Sequence, residues 1–215
     1  MRDKEKDAAM MAEKRRNMLE IAYSMFSEKS IDAVSMADIA RDSGYGNTTL
    51  HRYFKTKTDL VVAVATWKWE AYTWEQLAKR DAESWDDMKA SEQFVYFLDV
   101  FIDLYDNHPD MLRFNQFFNI YIRSMNVSSS LLDPYQSMIT LVYRRFSKMY
   151  DKAKIDGSLR TDESIQHMFS VTLHLMLAAV TRFAVGLVYQ PEGGAKPDEE
   201  LYLLRDMLIK QYTTN

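Results

Sequence analysis

Apolar residues recur along the chain at steps of three and four, the period of a helix packed on one side. Met18, Ile21, Ala22, Met25 and Phe26 make such a face and predict a helix from about Ala12 to Lys29. Ser35 and Asp38 then have capping-box spacing, a hydroxyl N-cap with a carboxylate three residues on. The short helix they open would turn Met36, Ile39 and Ala40 inward. Ser43-Gly44-Tyr45-Gly46 should end it, because glycine reaches the left-handed conformation that a tight turn needs. Asn47 is expected to cap a third helix with Leu50 and Phe54 inside. Thr56 and Asp59 repeat the capping box and open a long helix, with Leu60, Val64, Trp67, Ala71, Trp74 and Ala78 on one stripe.

Arg80 to Glu92 is polar and acidic and reads as a connection. Helical patterns follow at about 91–106, 109–125, 132–155, 162–188 and 198–212. Turn chemistry separates them: Asn107-His108-Pro109, Asn126 to Pro134, Asp156-Gly157-Ser158, and Gln190 to Asp198. No strand alternation of comparable strength, internal repeat or low-complexity tract competes. The predicted class is all-α.

Composition agrees. The 215 residues hold 6 Gly and 4 Pro, too few for an architecture rich in turns. Apolar residues at 47% and charged residues at 27% fit a globular chain of one or two domains. With no cysteine, a disulfide framework, a thiolate zinc site, an iron–sulfur cluster and a cysteine nucleophile are excluded. The charged N-terminus does not read as a signal peptide. The longest apolar stretch, Leu173 to Tyr189, contains His174, Thr181 and Arg182, so a buried helix is expected there and no membrane span. A soluble, cytoplasmic protein is the expectation.

The net charge of -4 is unevenly spread. Residues 1–60 carry 11 Lys/Arg against 10 Asp/Glu, and the rest carry 16 against 21. Between 44 and 58 lie Arg52, Lys55 and Lys57 and no acid, a local footprint for a polyanion. The two short helices joined by a glycine-containing turn have the helix-turn-helix arrangement, whose second helix can enter the major groove of DNA.

From Ile21 to Leu60 the chain resembles the DNA-binding domain of the TetR family of bacterial transcriptional repressors. The resemblance rests on the Ala22–Phe26 face, Ser35-x-x-Asp38-Ile39-Ala40, Ser43-Gly44, Thr49-Leu50, Tyr53-Phe54 and Lys57-x-x-x-Leu60. Three positions depart from it. The family usually has Gly at Ser30, a small apolar residue at Tyr45 and Tyr at His51. The resemblance implies a helix-turn-helix domain over 1–60 and a helical ligand-binding and dimerisation domain over 61–215. It also implies a homodimer, formed through the 162–188 and 198–212 helices, on a palindromic double-stranded operator. A small ligand would release the repressor by tilting the 57–80 helix.

The site residues follow from the same resemblance. Thr49, His51 and Tyr53 would touch phosphate, with Ser35 as a helix cap that adds a further contact. Lys57 opens a helix, where unpaired N–H groups already favour an anion, so physics and resemblance agree on a phosphate contact. Tyr45, Asn47, Thr48 and Arg52 would read bases, and Gly46 would let the backbone approach. An aromatic-rich stretch after residue 94 could line a pocket for an apolar or aromatic ligand, with Phe101, Tyr105, Phe114, Phe117, Phe118, Tyr121 and His174 as candidates. The bland reading of each of these aromatics is plain core.

No cofactor, metal site or enzymatic activity is expected. His167 and His174 share a helix face but lack a third ligand of suitable spacing, and no Glu stands three residues before any histidine, as a di-iron bundle needs. No Walker loop or dinucleotide fingerprint occurs. A helical small-molecule-binding protein or enzyme with a vestigial DNA-binding head, or a protein-interaction adaptor, is the alternative. The intact caps and the acid-free 44–58 segment argue against the vestigial head, and an adaptor would show a large partner interface and no cavity.

Overall fold

A computed structural model describes residues 4–79, 82–186, 188–189 and 197–214. Among them the order is α1 (Lys4–Lys29), α2 (Met36–Asp42), α3 (Asn47–Tyr53), α4 (Lys57–Ala78), α5 (Ala82–Asp87), α6 (Ala90–Asn107), α7 (Pro109–Ser124), α8 (Ser129–Asp156), α9 (Ile165–Val185) and α10 (Pro197–Tyr212). No strand occurs among the described residues, only an isolated antiparallel bridge between Leu159 and Thr213. The chain is all-α, as its periodicity predicts.

Several helix ends differ from expectation. α1 begins at Lys4, ahead of the predicted Ala12, on residues that are mostly exposed. Its start therefore carries no apolar face to announce it, only good helix formers such as Ala, Met, Lys and Glu. Gly46, not Asn47, is the N-cap of α3. Its extended backbone (φ -67°, ψ 150°) lets its carbonyl accept from the N–H groups of Thr49 at 2.8 Å and Leu50 at 3.1 Å. α8 starts at Ser129 and holds Pro134 inside it, where a break was expected. The bond that proline forgoes would have reached the exposed Ser130 carbonyl, which water can serve. α9 is shorter than predicted, because Ser164 caps it (the hydroxyl accepts from His167 N at 3.2 Å) and Gly186 ends it at φ 86°. Most of the predicted turn at 190–198 lies outside the described residues.

The described residues form two compact units. The first comprises Met1–Ala71 and Arg113–Gln136. Its core takes Met18, Leu19, Ala22, Tyr23, Met25 and Phe26 from α1, Ile39 and Ala40 from α2, and Leu50 and Phe54 from α3 and its end. α4 adds Leu60, Val61, Val64 and Ala65, and α7 adds Phe114, Phe118 and Tyr121. Ring contacts tie α7 in: Tyr23 meets Phe114 edge-on at 5.4 Å, Phe114 lies 6.1 Å from Phe118, and Phe118 lies 4.9 Å from Tyr135. Burying rings of this size supplies much of a small domain's stability.

The second unit comprises Tyr72–Leu112 and Ser137–Asn215. Here α6, α9 and α10 pack on one another. Phe146 of α8 lies at its centre, 6.2 Å from Phe94, 5.0 Å from Phe97 and 5.3 Å from Phe169. The opening N–H groups of α6 are satisfied from the end of α8 and just beyond: Ala90 N donates to Asp156 Oδ2 at 2.8 Å and Ser91 N to Ser158 Oγ at 2.9 Å.

The apolar stripe predicted for α4 holds only through its first half. Leu60 and Val64 are buried and Trp67 is half-buried, but Ala71 and Ala78 are exposed and Trp74 is 67% exposed. Tyr72 and Gln76 take the buried positions instead. A polar Gln76 can do so because its side-chain amide donates to Asp103 Oδ2 at 2.6 Å, while the Tyr96 hydroxyl donates to the Gln76 backbone carbonyl at 3.1 Å and lies 3.5 Å from its Oε1. Among the described residues α9 alone is long and apolar enough to cross a membrane by length and composition, with a mean hydropathy of 1.6. In the second unit it packs against α6 and α10, and His167, His174 and Arg182 are on its exposed side.

Candidate nucleic-acid interface

The turn between α2 and α3 is built as the sequence suggests. Ser35 Oγ accepts from Asp38 N at 3.1 Å, and Asp38 Oδ2 accepts from Ser35 N at 3.1 Å, so the capping box is complete. The Ser35 hydroxyl donating to Asp38 Oδ2 at 2.6 Å, then the Ser35 N–H and Arg41, hold the Asp38 carboxyl below the usual carboxylate range. α2 closes on Ser43, and Gly44 takes φ 74°, which glycine meets without steric cost. Tyr45 N then donates to Ala40 O at 3.1 Å, fixing where α3 begins.

α3 buries one side and shows the other. Leu50 is fully buried and Phe54 nearly so, anchoring the helix on the first unit's core. Gly46, Asn47, Thr48, His51 and Arg52 are exposed, while Tyr45, Thr49 and Tyr53 are half-buried. A Cβ at Gly46 would meet nothing within 4 Å, so packing inside the chain does not demand glycine there. The His51 ring lies with Nδ1 3.3 Å from Lys55 O, and the Arg52 guanidinium sits 5.9 Å from the Tyr53 ring centre. The Tyr53 hydroxyl is buried without a partner among the described residues, which sets it apart from its solvent-facing neighbours.

At the start of α4 the second capping box forms: Thr56 N donates to Asp59 Oδ2 at 2.9 Å and Asp59 N to Thr56 Oγ1 at 3.1 Å. Lys57 is half-buried, with its ammonium 5.9 Å from the Tyr121 ring centre. Burial pushes its pKa down and Asp32 partly opposes that. An anion placed there would return to the ammonium what burial has taken. The Tyr121 hydroxyl lies 3.0 Å from Thr58 Oγ1, so α7 braces the same turn.

The structure thus gathers Ser35, Tyr45, Gly46, Asn47, Thr48, Thr49, His51, Arg52, Tyr53 and Lys57 on α2, α3, their turn and the start of α4. It also places a cation that no local motif marks. Arg15 of α1 is exposed and lies over the Phe54 ring at 5.5 Å, beside the end of α3. The candidate ligand residues divide. Phe114, Phe118 and Tyr121 are buried in the first unit's core, with Phe117 packed against it. In the second unit Phe101 is buried, Tyr105 is half-buried with its ring 6.4 Å from Phe183, and His174 is exposed.

Residues 18–64 match the family described as bacterial regulatory proteins, tetR family. Residues 18–64 are thus similar to the N-terminal domain of the TetR family. An HTH-type transcriptional regulator of Staphylococcus aureus is 44% identical over 48 residues, 22% of this chain and 26% of that protein. The match therefore spans about a quarter of that relative's length. The whole chain shares the fold of solved regulators. A Saccharomonospora viridis protein described as a transcriptional regulator in complex with choline superposes with a TM-score of 0.73 at 18% identity, covering 95% of this chain and 100% of that one. FadR of Bacillus subtilis in complex with stearoyl-CoA gives 0.67 at 13% identity, covering 90% and 97%. KstR2 of Mycobacterium tuberculosis, a ketosteroid transcriptional regulator, gives 0.60 at 14%, covering 94% and 95%. The TetR-type helix-turn-helix and the helical architecture behind it are both present in this chain.

Proposed function

We propose that the protein is a cytoplasmic, homodimeric transcriptional regulator of the TetR type that represses from a palindromic operator and is released by a small molecule. The observation that carries this reading is the outer face of α3. It presents Asn47, Thr48, His51 and Arg52 to solvent, next to Lys57, in a segment from 44 to 58 that contains no acid. Arg52 and Asn47 have the side chains that pair with guanine and adenine edges, each good pair giving about 1–3 kcal/mol of discrimination. Lys57, Thr49, His51 and Ser35 would fix register through phosphates. Gly46 would matter for what approaches from outside, since nothing inside the chain crowds it.

Dimerisation would use the apolar side chains that α9 and α10 leave exposed: Leu175 and Val185 on the first, Tyr202, Leu203 and Met207 on the second. A two-fold dimer would hold two α3 helices roughly 34 Å apart, one turn of DNA. Phe101 and Tyr105 are the candidates for contact with an apolar or aromatic ligand, whereas Phe114, Phe118 and Tyr121 serve the first unit's core. The choline and stearoyl-CoA held by the similar regulators support a search among quaternary amines and acyl thioesters. Release requires the ligand to prefer the non-binding state, typically by about 1–3 kcal/mol.

The experiment is fluorescence anisotropy on the DNA upstream of the gene itself, repeated with candidate ligands. Operator binding that a ligand weakens supports the reading. A ligand that binds equally well with and without operator sinks the release step.

A further inference from the structure

Away from α3, three side chains that can bind a metal converge. Glu75 lies near the end of α4, Asp103 on α6, and His108 is the residue that closes α6. His108 Nε2 is 3.5 Å from Glu75 Oε1 and 3.9 Å from Asp103 Oδ2, and one ligand atom from each of the three lies within 4.8 Å of the other two. In a tetrahedral zinc site with bonds of about 2.0–2.2 Å, neighbouring ligand atoms stand roughly 3.3–3.6 Å apart. The observed gaps, up to 4.8 Å, would shorten as the three side chains close around an ion.

The surroundings resemble a ligand set already oriented. Asp103 Oδ2 accepts from Gln76 Nε2 at 2.6 Å and from Tyr72 at 3.0 Å. Asn107 Nδ2 donates to Asp103 Oδ1 at 3.0 Å. The His108 ring meets the edge of the Tyr72 ring at 5.1 Å, which fixes its plane. Carboxylates and imidazoles that bind metals are typically held this way by their outer neighbours. A cation is already drawn to the spot. Lys79 Nζ lies 3.1 Å from Glu75 Oε1 and 3.2 Å from Asp103 Oδ1, on a side chain 44% exposed.

A plain ion-pair network joining α4 to α6 would account for Asp103 and Lys79. His108 Nε2 is buried, makes no hydrogen bond among the described residues, and lies 3.5 and 3.9 Å from two carboxylate oxygens, too far for a good hydrogen bond to either. With the ring proton on Nδ1, the Nε2 lone pair would face both carboxylates, and a cation placed among the three would satisfy all of them. We propose that Glu75, Asp103 and His108 bind one divalent transition-metal ion of the zinc class, with Lys79 as the competing cation that the ion displaces. One imidazole and two carboxylates are borderline-to-hard donors, suited to zinc, cobalt or nickel. The fourth position is left to water. The ligands come from positions 28 and 5 residues apart on two helices, so no spacing motif reveals them.

The test uses the full-length protein, stripped with a chelator and then exchanged into chelator-free buffer. Zinc is titrated against a chromophoric competitor, and cobalt is added separately for its visible absorption. The expected result is one ion per chain and a cobalt band that depends on His108. His108→Gln should weaken zinc at least tenfold. Lys79→Met should strengthen it, because it removes the competitor, an outcome that a merely structural ion pair does not produce. His167→Gln, which alters a separate histidine–carboxylate pair, serves as control and should change nothing. Circular dichroism of each variant separates loss of a ligand from loss of fold. Absence of a stoichiometric ion at micromolar zinc overturns the proposal. So does unchanged affinity in folded His108→Gln or Lys79→Met.

Discussion

A fragment ending at Ala71 would keep α1 to α3 and the first half of α4, the whole of the TetR-type match, but lose Arg113–Gln136. It would thereby lose Phe114, Phe118 and Tyr121, which are 0%, 2% and 3% exposed in the full chain. Fully burying one large apolar side chain is worth about 1.5–3 kcal/mol, so their removal costs roughly 5–9 kcal/mol. Whole domains are stable by only about 5–15 kcal/mol. The fragment should therefore lack a cooperative thermal transition by circular dichroism, while the full chain shows one. Phe114→Ala in the full chain makes the same point with one cavity. Its ring contacts Tyr23 and Phe118, and the expected loss is about 3–5 kcal/mol in denaturant unfolding. A fragment that melts cooperatively at the temperature of the full chain would refute the reasoning, because α7 would then be a bystander to the head's stability.

Other consequences are equally direct. Lys57→Ala should lower the slope of log affinity against log salt on operator DNA by about 1, the signature of one lost phosphate contact, and an unchanged slope would remove Lys57 from the interface. Ser30 sits at φ 72°, where an L side chain costs about 1–2 kcal/mol, partly offset in a glycine variant by about 0.4–1 kcal/mol of extra unfolded-chain entropy. Ser30→Gly should therefore raise the melting temperature slightly, and a lowered one would contradict the strain. Asp38 is held below its ordinary pKa, so its contribution is present above about pH 3.9 and is lost as pH falls through the folded value. Acid titration of stability should show that loss in the parent chain and a weaker one in Ser35→Ala.

Local signals in the sequence were legible because one segment carried them whole. The α1 face, both capping boxes and the Gly44 turn each lie within a few residues and depend on spacing alone. The placement of Asn47 failed by one residue, because Gly46 caps α3 through its backbone and needs no side chain to do so. The second half of α4 misled for another reason. Trp74 continues the spacing of three and four and Gln76 does not, yet Asp103 and Tyr96, distant in sequence, make Gln76 the better buried residue. Phe114 and Phe118 showed no sign of belonging with α1, since aromatic density marks a core without saying which. The Glu75–Asp103–His108 cluster was hidden in the same way, assembled from two helices whose neighbourhood only the fold supplies.

The central claim is that the outer face of α3 reads DNA. Anisotropy with labelled upstream DNA, titrated at several salt concentrations beside random DNA of equal length, tests it most directly. The account predicts a tight complex of two protomers per site that weakens steeply with salt and loses its preference for the site in Arg52→Ala. Weak binding, equal on upstream and random DNA at every salt concentration, would contradict it.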